Sequence, residues 1–233
     1  MDMNDLQPNP GKELVINTSA GDYARYPVKT KLVESGDDIA AILDESAMPY
    51  VQPGDMLFIS EKIIAISQGR SFDIDDIHPS KLATLLSKFV YKSPYGIGLG
   101  MPETMELALR DVGKPRILFA AFCSAVTKPF GVRGVFYKIA GTGARAIDGP
   151  CDCTIPPYNH AAKLAPKDPD KVAAQLEKHT GCKVVIMDAN DIGREILGRS
   201  DESVSIDLCK EIFADNPLGQ GTQQTPVCIV RKV

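Results

Sequence analysis

The stretch that decides the fold is Lys183-Val-Val-Ile-Met-Asp-Ala-Asn-Asp191, an apolar run that breaks into carboxylates and an amide. Because the run is short, continuous and preceded by a helix-like segment, it predicts a buried strand. Loops at the ends of such strands are where α/β proteins tend to place ligands. Asp188 and Asp191 offer the hard oxygen atoms that Mg²⁺ and Mn²⁺ prefer. The alternative is a solvated turn in which Asn190 or Asp191 caps the backbone that follows.

Strand-like and helix-like segments alternate on both sides of this stretch. Apolar or β-branched runs predict extended segments at residues 13–18, 26–33, 56–60, 116–126, 134–140 and just before Val230. The run 116–126 is the longest of them and is expected to be a central strand. Caps, first-turn prolines and apolar stripes predict helices that begin near Asp38, Pro79, Pro102, Asp168 and Ser203. The sequence therefore predicts an α/β fold.

Composition and charge exclude several classes of function. The chain has 233 residues, of which 44% are hydrophobic and 24% charged, and its net charge is −4, as in an ordinary globular protein. It has no basic cluster to bind nucleic acid, and no apolar run approaches the ~20 residues of a membrane helix. The acidic N-terminus is unlike a secretion signal. We therefore expect a cytoplasmic protein without nucleic-acid or membrane partners, with a mobile arm at residues 1–12 and one α/β unit at 13–233. Whether that unit divides into two associated subdomains stays open.

The cysteines predict no disulfide framework. They are Cys123, Cys151, Cys153, Cys182, Cys209 and Cys228. Four of them lie in or beside apolar runs, as buried thiols do. Only Cys151 and Cys153 are close together, and their spacing is not that of a zinc ribbon or a redox pair. We expect six reduced thiols, with a zinc site of Cys151, Cys153 and His160 as the alternative.

A second aspartate occupies a position like that of Asp188. Asp148 follows the segment Ala-Arg-Ala-Ile147, so both aspartates are expected where a strand passes into a loop. Two fixed carboxylates are a recurrent way to hold a divalent metal for nucleotide chemistry, in which the metal offsets phosphate charge. The loop Leu218-Gly-Gln-Gly-Thr222 brings backbone N–H groups within reach of a phosphate, and Gln220 adds an amide oxygen.

Five segments share a pattern with one known family. The most specific is Pro53-Gly-Asp-Met-Leu-Phe-Ile-Ser-Glu-Lys-Ile-Ile-Ala-Ile-Ser-Gln-Gly-Arg70, which is similar to a signature of Gly-Asp, a strand, Ser-x-Lys-Ile and Gly-Arg. The other segments are 26–38, 146–148, 185–190 and 219–230. Each is short, but they follow the family's order across most of the chain. On these segments the chain resembles the coenzyme F420 γ-glutamyl ligases and their relatives.

This resemblance implies an enzyme, a GTP-dependent ligase that forms a γ-glutamyl-type amide. A carboxylate is activated as an acyl phosphate and captured by the amine of L-glutamate or another amino acid, with Mg²⁺ or Mn²⁺ on the phosphates. The implied fold has mixed sheets with flanking helices, in an intertwined homodimer. Asp148 and Asp188 would be the catalytic metal ligands, and Gln220 would reach a second metal. The implied nucleotide site consists of Thr30, Lys31, Leu32, Val33, Glu61, Lys62, Leu218, Gly219, Gln220 and Gly221.

Several positions depart from the family pattern. Ile66 stands where relatives have a lysine, Cys151 where an asparagine is expected, and Ala189 where a threonine follows the second aspartate. Two interpretations therefore stay open. One is an amide ligase acting on a different carboxylate, with GTP or ATP. The other is a nucleotide-binding relative that keeps the fold and has lost turnover.

Overall fold

The stretch at 183–191 forms a buried strand, as predicted, within a sheet of six strands. The computed structural model describes residues 6–90, 98–132, 134–152, 154–190, 193–219 and 221–233. Its strands are β1 (Val15–Thr18), β2 (Gly21–Val28), β3 (Met56–Ser60), β4 (Ser71–Asp73), β5 (Ala161–Lys163), β6 (Lys183–Ala189), β7 (Arg194–Arg199) and β8 (Val227–Lys232). The six-stranded sheet has the order β1-β2-β8-β3-β6-β7, and β4 pairs with β5. The pair β3–β6 is parallel and the other pairs are antiparallel. The predicted α/β fold with mixed sheets is confirmed.

The chain divides into two compact units. Unit 1 consists of Met1–Gln68 and Pro166–Val233 and holds the six-stranded sheet, whereas unit 2 consists of Gly69–Ala165 and holds the β4–β5 pair. The core of unit 1 includes Phe58 on β3, which stacks on Phe213 with ring centroids 4.5 Å apart. Each buried apolar side chain of this size stabilises the fold by about 1.5–3 kcal/mol. These contacts hold β3 and its neighbours as a rigid support for the loops at their ends.

The helices lie where caps and first-turn prolines predict most of them. They are α1 (Ile39–Ser46), α2 (Glu61–Ser67), α3 (Lys81–Ser87), α4 (Pro102–Ala108), α5 (Lys114–Thr127), α6 (Val135–Ala140), α7 (Thr142–Arg145), α8 (Pro169–Thr180) and α9 (Ile206–Ile212). Asp38 caps α1 through the backbone N–H of Ala40. Asp168 does not cap α8 as expected, because its φ is +46° and its side chain accepts no capping hydrogen bond. No helix in the described part of the chain is long and apolar enough to cross a membrane.

Two predicted strands in unit 2 are wrong. Residues 116–126 lie within helix α5, and residues 134–140 contain helix α6. An apolar run of eleven residues is longer than an ordinary strand, so the length of this run indicates a helix. Ile117 and Ala120 are the buried residues of α5. Their spacing of three is that of one helical face.

Candidate functional site

The carboxyl ends of β3 and β6 lie side by side at one end of the six-stranded sheet. These strands are parallel, and Ser60, the last residue of β3, pairs with Met187. Asp188 follows directly and is half-buried, and it pairs with Glu195 of β7. Asp188 is therefore the last residue but one of a strand and not part of a solvated turn. Asp191, which shared the same prediction, lies outside the described residues.

Asn190 closes the connection between β6 and β7. Its backbone N–H donates to the carbonyl oxygen of Gly193 at 3.0 Å, and the N–H of Gly193 donates to the Asn190 side-chain oxygen at 2.8 Å. This reciprocal pair is the backbone-capping role that the sequence offers as an alternative for Asn190. The asparagine thus has a structural task next to Asp188.

Helix α2 begins where β3 ends, at the same end of the sheet as Asp188. The Ser60 hydroxyl accepts a hydrogen bond from the N–H of Lys62 at 3.3 Å and so caps the helix. Glu61 in the first turn is only 2% exposed, and a buried carboxylate is rare unless a partner compensates its charge. Ser60, Glu61 and Lys62 are thereby placed by rigid backbone. Ile66 points into the core instead, with 4% exposure.

The structure brings together two segments that the resemblance assigns to the nucleotide. The backbone N–H of Thr30, just beyond β2, donates to the carbonyl oxygen of Gln224 at 3.2 Å. The Gln224 side-chain amide donates in return to the carbonyl oxygen of Thr30 at 2.9 Å. Val28 and Val227 pair just before these residues, at the ends of β2 and β8. Segment 30–33 and the loop 218–225 therefore lie at one end of the sheet, the end that also carries Asp188.

Within segment 30–33 the side chains have different surroundings. Thr30 and Val33 are buried, Leu32 is partly buried and Lys31 is exposed. The ammonium of Lys31 lies 2.7 Å from a carboxylate oxygen of Asp37, and this hydrogen bond raises the pKa of Lys31. Lys31 is therefore held at the surface as a cation.

The glycine loop is folded back on itself. The Asn216 side-chain amide donates to the carbonyl oxygen of Gly219 at 3.1 Å, and the N–H of Gly221 donates to Gln223 at 2.6 Å. Gly219 has a φ of +75°, and a side chain there would approach the Gln223 side chain to 2.9 Å, so the position favours glycine. Leu218 is buried beside it. Gln220, predicted as a ligand of a second metal, lies outside the described residues.

Asp148 lies in a setting that differs from the predicted one. It does not end a strand of the six-stranded sheet but makes an isolated antiparallel bridge with Lys163 in unit 2. The Lys163 ammonium is 3.5 Å from an Asp148 carboxylate oxygen, and the two side chains are 5% and 47% exposed. Lys163 also donates to the carbonyl oxygen of Ala146 at 3.3 Å. Asp148 is thus paired with a buried cation. It belongs to unit 2, whereas Asp188 belongs to unit 1.

The cysteine predictions are corrected at one position. Cys151 is disulfide-bonded, so the expectation of six reduced thiols is wrong. Cys123, Cys182, Cys209 and Cys228 are free. A disulfide sulfur is not the thiolate that zinc binds, so the alternative zinc site with Cys151 and His160 loses one ligand. Cys153 lies outside the described residues.

The structural roles of two buried polar residues of unit 1 were not predicted from the sequence. Asp55, in the Pro-Gly-Asp turn, accepts two hydrogen bonds from Arg231 of β8, at 2.8 and 2.6 Å. The turn that resembles the family signature is therefore locked to the sheet. Asn216 is 1% exposed, and its side-chain oxygen meets no hydrogen-bond donor among the described residues. In the sequence, only the position of Asn216 between a predicted helix and the segment Pro-Leu-Gly219 indicates a structural role for this residue.

One family of known proteins matches most of the chain. The sequence profile described as F420-0:gamma-glutamyl ligase matches residues 27–213. The chain belongs to this family. The family is named for ligases that form amide bonds.

Two relatives come from Methanocaldococcus jannaschii. An uncharacterized protein is 27% identical over 175 residues, which cover 71% of this chain and 56% of the relative. A protein named coenzyme F420:L-glutamate ligase is 23% identical over 214 residues, which cover 78% of this chain and 76% of the relative. The chain thus spans little more than half the length of the first relative.

Proposed function

We propose that this protein is a GTP- and divalent-metal-dependent ligase that joins L-glutamate or another amino acid to a carboxylate through an amide bond. The observation that carries the proposal is the convergence of segment 30–33, the start of α2, Asp188 and the glycine loop at one end of one sheet, in a chain of this ligase family. The relative named coenzyme F420:L-glutamate ligase supports glutamate as the amino acid.

In this proposal the nucleotide lies against the end of the sheet. Thr30 to Val33 and the loop 218–221 hold it, and Glu61 and Lys62 approach it from α2. The carboxylate substrate attacks the γ-phosphorus atom of GTP, which gives an acyl phosphate and GDP. The amine then attacks the acyl carbon, phosphate leaves, and the amine loses a proton as the amide forms. Fixed neighbouring groups contribute mainly by holding the reacting atoms close together.

The residues present suit a hard divalent cation. Asp148, Asp188 and Gln220 supply carboxylate and amide oxygens, which Mg²⁺ and Mn²⁺ prefer, and we propose them as metal ligands. A carboxylate has about four lone-pair sites, so the contact between Asp148 and Lys163 leaves oxygen sites for an ion. Bound metal would offset the charge of the phosphates.

The buried oxygen of Asn216 is a further sign of a ligand near the glycine loop. An unpaired buried acceptor costs about 1–3 kcal/mol. A bound molecule or ion that offers a donor or a positive charge removes this cost. The oxygen lies at the start of the loop that we assign to the nucleotide, since Asn216 also holds Gly219.

A second proposal is a relative that binds nucleotide without turnover. Three departures favour it: Ile66 is buried in the core, Cys151 is in a disulfide, and Ala189 packs against the core and has no hydroxyl to offer a metal. Both proposals predict nucleotide binding, and they differ in turnover, which releases phosphate and forms an amide.

Binding of GTP with Mn²⁺, measured by equilibrium dialysis, tests the site that both proposals share. We expect Asp188→Asn and Asp148→Asn each to weaken binding in Mn²⁺ and to change binding little in EDTA. Asp22→Asn, an exposed change on β2, is the control and should leave binding unaltered. Binding that survives the double Asp148→Asn, Asp188→Asn variant unchanged would refute the metal assignment. We also propose a cytoplasmic homodimer; light scattering tests the dimer, since a monomer mass contradicts it.

A further inference from the structure

A group of metal-ligating side chains lies in unit 2 and includes none of the residues assigned to the ligase site. It consists of Asp73, Asp75 and His160, and one ligand atom from each residue lies within 4.8 Å of the others. Within the described ranges, no other trio of His, Cys, Asp or Glu meets this criterion. The set combines two carboxylates with an imidazole, which makes it more than an acidic cluster.

The fold brings the imidazole to the carboxylates across a strand pair. Asp73 is the last residue of β4 and pairs with Ala161, the first residue of β5, so His160 arrives beside Asp73. Asp73 also caps the short helical turn Ile74–Asp76 by accepting a hydrogen bond from the N–H of Asp75 at 3.0 Å. This cap fixes the backbone between the two carboxylates. The donors thus come from two segments 85 residues apart, from Asp75 to His160.

The distances suit a shared ion. The Nε2 atom of His160 lies 3.3 Å from an Asp75 oxygen and 4.0 Å from an Asp73 oxygen. Ligand atoms around a tetrahedral ion with bonds of about 2.1 Å lie roughly 3.4 Å from one another. Small rotations of these exposed side chains therefore place all three donors around one ion. Such an ion would take its fourth ligand from the solvent, because all three side chains are exposed.

The chemistry of the donors selects the kind of ion. Mg²⁺ and Ca²⁺ prefer oxygen ligands alone, whereas imidazole together with carboxylate suits Zn²⁺ and similar first-row transition ions. Two carboxylates also neutralise the charge of a divalent cation. An ion here would link the segment that follows β4 to the one that precedes β5.

We propose that Asp73, Asp75 and His160 form a binding site for a divalent transition-metal ion of the Zn²⁺ type, independent of the proposed ligase function. The ion ties the two segments of unit 2 together. Because it binds the folded chain, it raises the stability of that chain by RT ln(1 + c/Kd), where c is the concentration of the free ion.

The chain offers a matched control for the test. His179 is an exposed histidine whose Nε2 lies 2.9 Å from both oxygens of Asp44. This pair has an imidazole and a single carboxylate residue, with no third ligand residue in the part of the chain that the structure describes, so it should bind an ion far more weakly. Comparison of His160→Ala with His179→Ala therefore separates a three-ligand site from an ordinary surface ion pair.

Isothermal titration of the full-length protein with Zn²⁺ alone, without nucleotide, measures the site. We expect the wild type and His179→Ala to bind one more equivalent than His160→Ala. Asp75→Asn keeps the shape of the side chain and should weaken binding at least about 10-fold, because even indirect partners of metal ligands contribute about 10- to 100-fold.

The outcomes separate this site from the proposed ligase site. Equal Zn²⁺ binding by the wild type, His160→Ala and Asp75→Asn, or no binding by the wild type, overturns the proposal. If one equivalent of Zn²⁺ is lost only in Asp188→Asn, that ion binds at the proposed ligase site, and its loss does not support the site of Asp73, Asp75 and His160. Circular dichroism of each variant establishes whether it is folded. If His160→Ala does not fold, Zn²⁺ binding by the conservative Asp75→Asn variant still tests the proposal.

Discussion

The ion pair between Arg25 and Asp215 gives the sharpest prediction about how the glycine loop is held. Arg25 on β2 has no exposed surface, and its guanidinium donates to the carbonyl oxygens of Ile212 and Glu13 and to both carboxylate oxygens of Asp215. Asp215 directly precedes Asn216, which closes the loop. We expect Asp215→Asn to leave a buried cation without its counter-charge.

The magnitude follows from this burial. Removing one partner of a buried ion pair costs about 3–5 kcal/mol, and the Asp215 side chain is 34% exposed, so the lower end applies. We expect a loss of about 3 kcal/mol in the free energy of unfolding, or roughly 6–12 °C in Tm for a chain of this size. Arg25→Met combined with Asp215→Leu removes both charges and should cost less than Asp215→Asn alone.

The pH dependence has a definite sign. Burial raises the pKa of Asp215, but hydrogen bonds and charge from Arg25 outweigh it, and the net shift is downward from 3.8. A carboxyl group with a lowered pKa in the folded state contributes stability above its unfolded pKa and loses it as the pH falls through the folded value. The difference between wild type and Asp215→Asn should therefore be full at pH 7 and shrink below about pH 4.

Urea denaturation at several pH values, followed by circular dichroism, measures this difference. Equal midpoints for wild type and Asp215→Asn at pH 7 would contradict the role of the ion pair. So would a difference that stays constant into acid, because it would then come from packing and not from charge.

Two further predictions concern packing and thiol reactivity. Gly198→Ala should lower the free energy of unfolding by about 1–3 kcal/mol, because a Cβ there would lie 2.5 Å from a backbone carbon of Pro169. Gly143→Ala is the control: a Cβ at Gly143 would meet no atom within 4 Å, and the variant should be nearly neutral in the same thermal melt. A thiol reagent such as Ellman's reagent should modify Cys123, which is half-buried, long before the buried Cys228, because burial raises the pKa of Cys228. Equal rates of modification for these two cysteines in the native protein would contradict the buried position of β8.

The sequence predicted β3 and β6 of unit 1 well because these two strands are short and almost entirely apolar. It did not predict β7, in which Arg194, Glu195 and Arg199 interrupt the apolar pattern. β3 and β6 are bounded by a turn or a helix on each side, and no other structure buries such a run equally well. The run at 116–126 is also apolar, but it is longer than an ordinary strand and lies within helix α5. An apolar run does not reveal whether one face or both faces are covered, and in α5 only Ile117 and Ala120 are buried.

The candidate site was predictable only as far as local patterns reach. Resemblance marked Thr30 and the glycine loop, but the contact that joins them is made by Gln224, which no local pattern distinguishes from its neighbours. The same holds for Lys163 beside Asp148, whose pairing depends on a backbone bridge. Such contacts arise from the register of distant segments, and they decide which carboxylates meet a cation.

Product formation tests the central claim of ligase activity most directly. The protein would be incubated with GTP, Mn²⁺, L-glutamate and a panel of carboxylic acids, with phosphate release and product mass recorded together. Ligase activity predicts that one acid yields a product heavier by one glutamate residue, with one phosphate released per amide, and that Asp188→Asn abolishes both signals. GTP binding without acid-dependent phosphate release or amide product for any acid in the panel would contradict it and favour the relative without turnover.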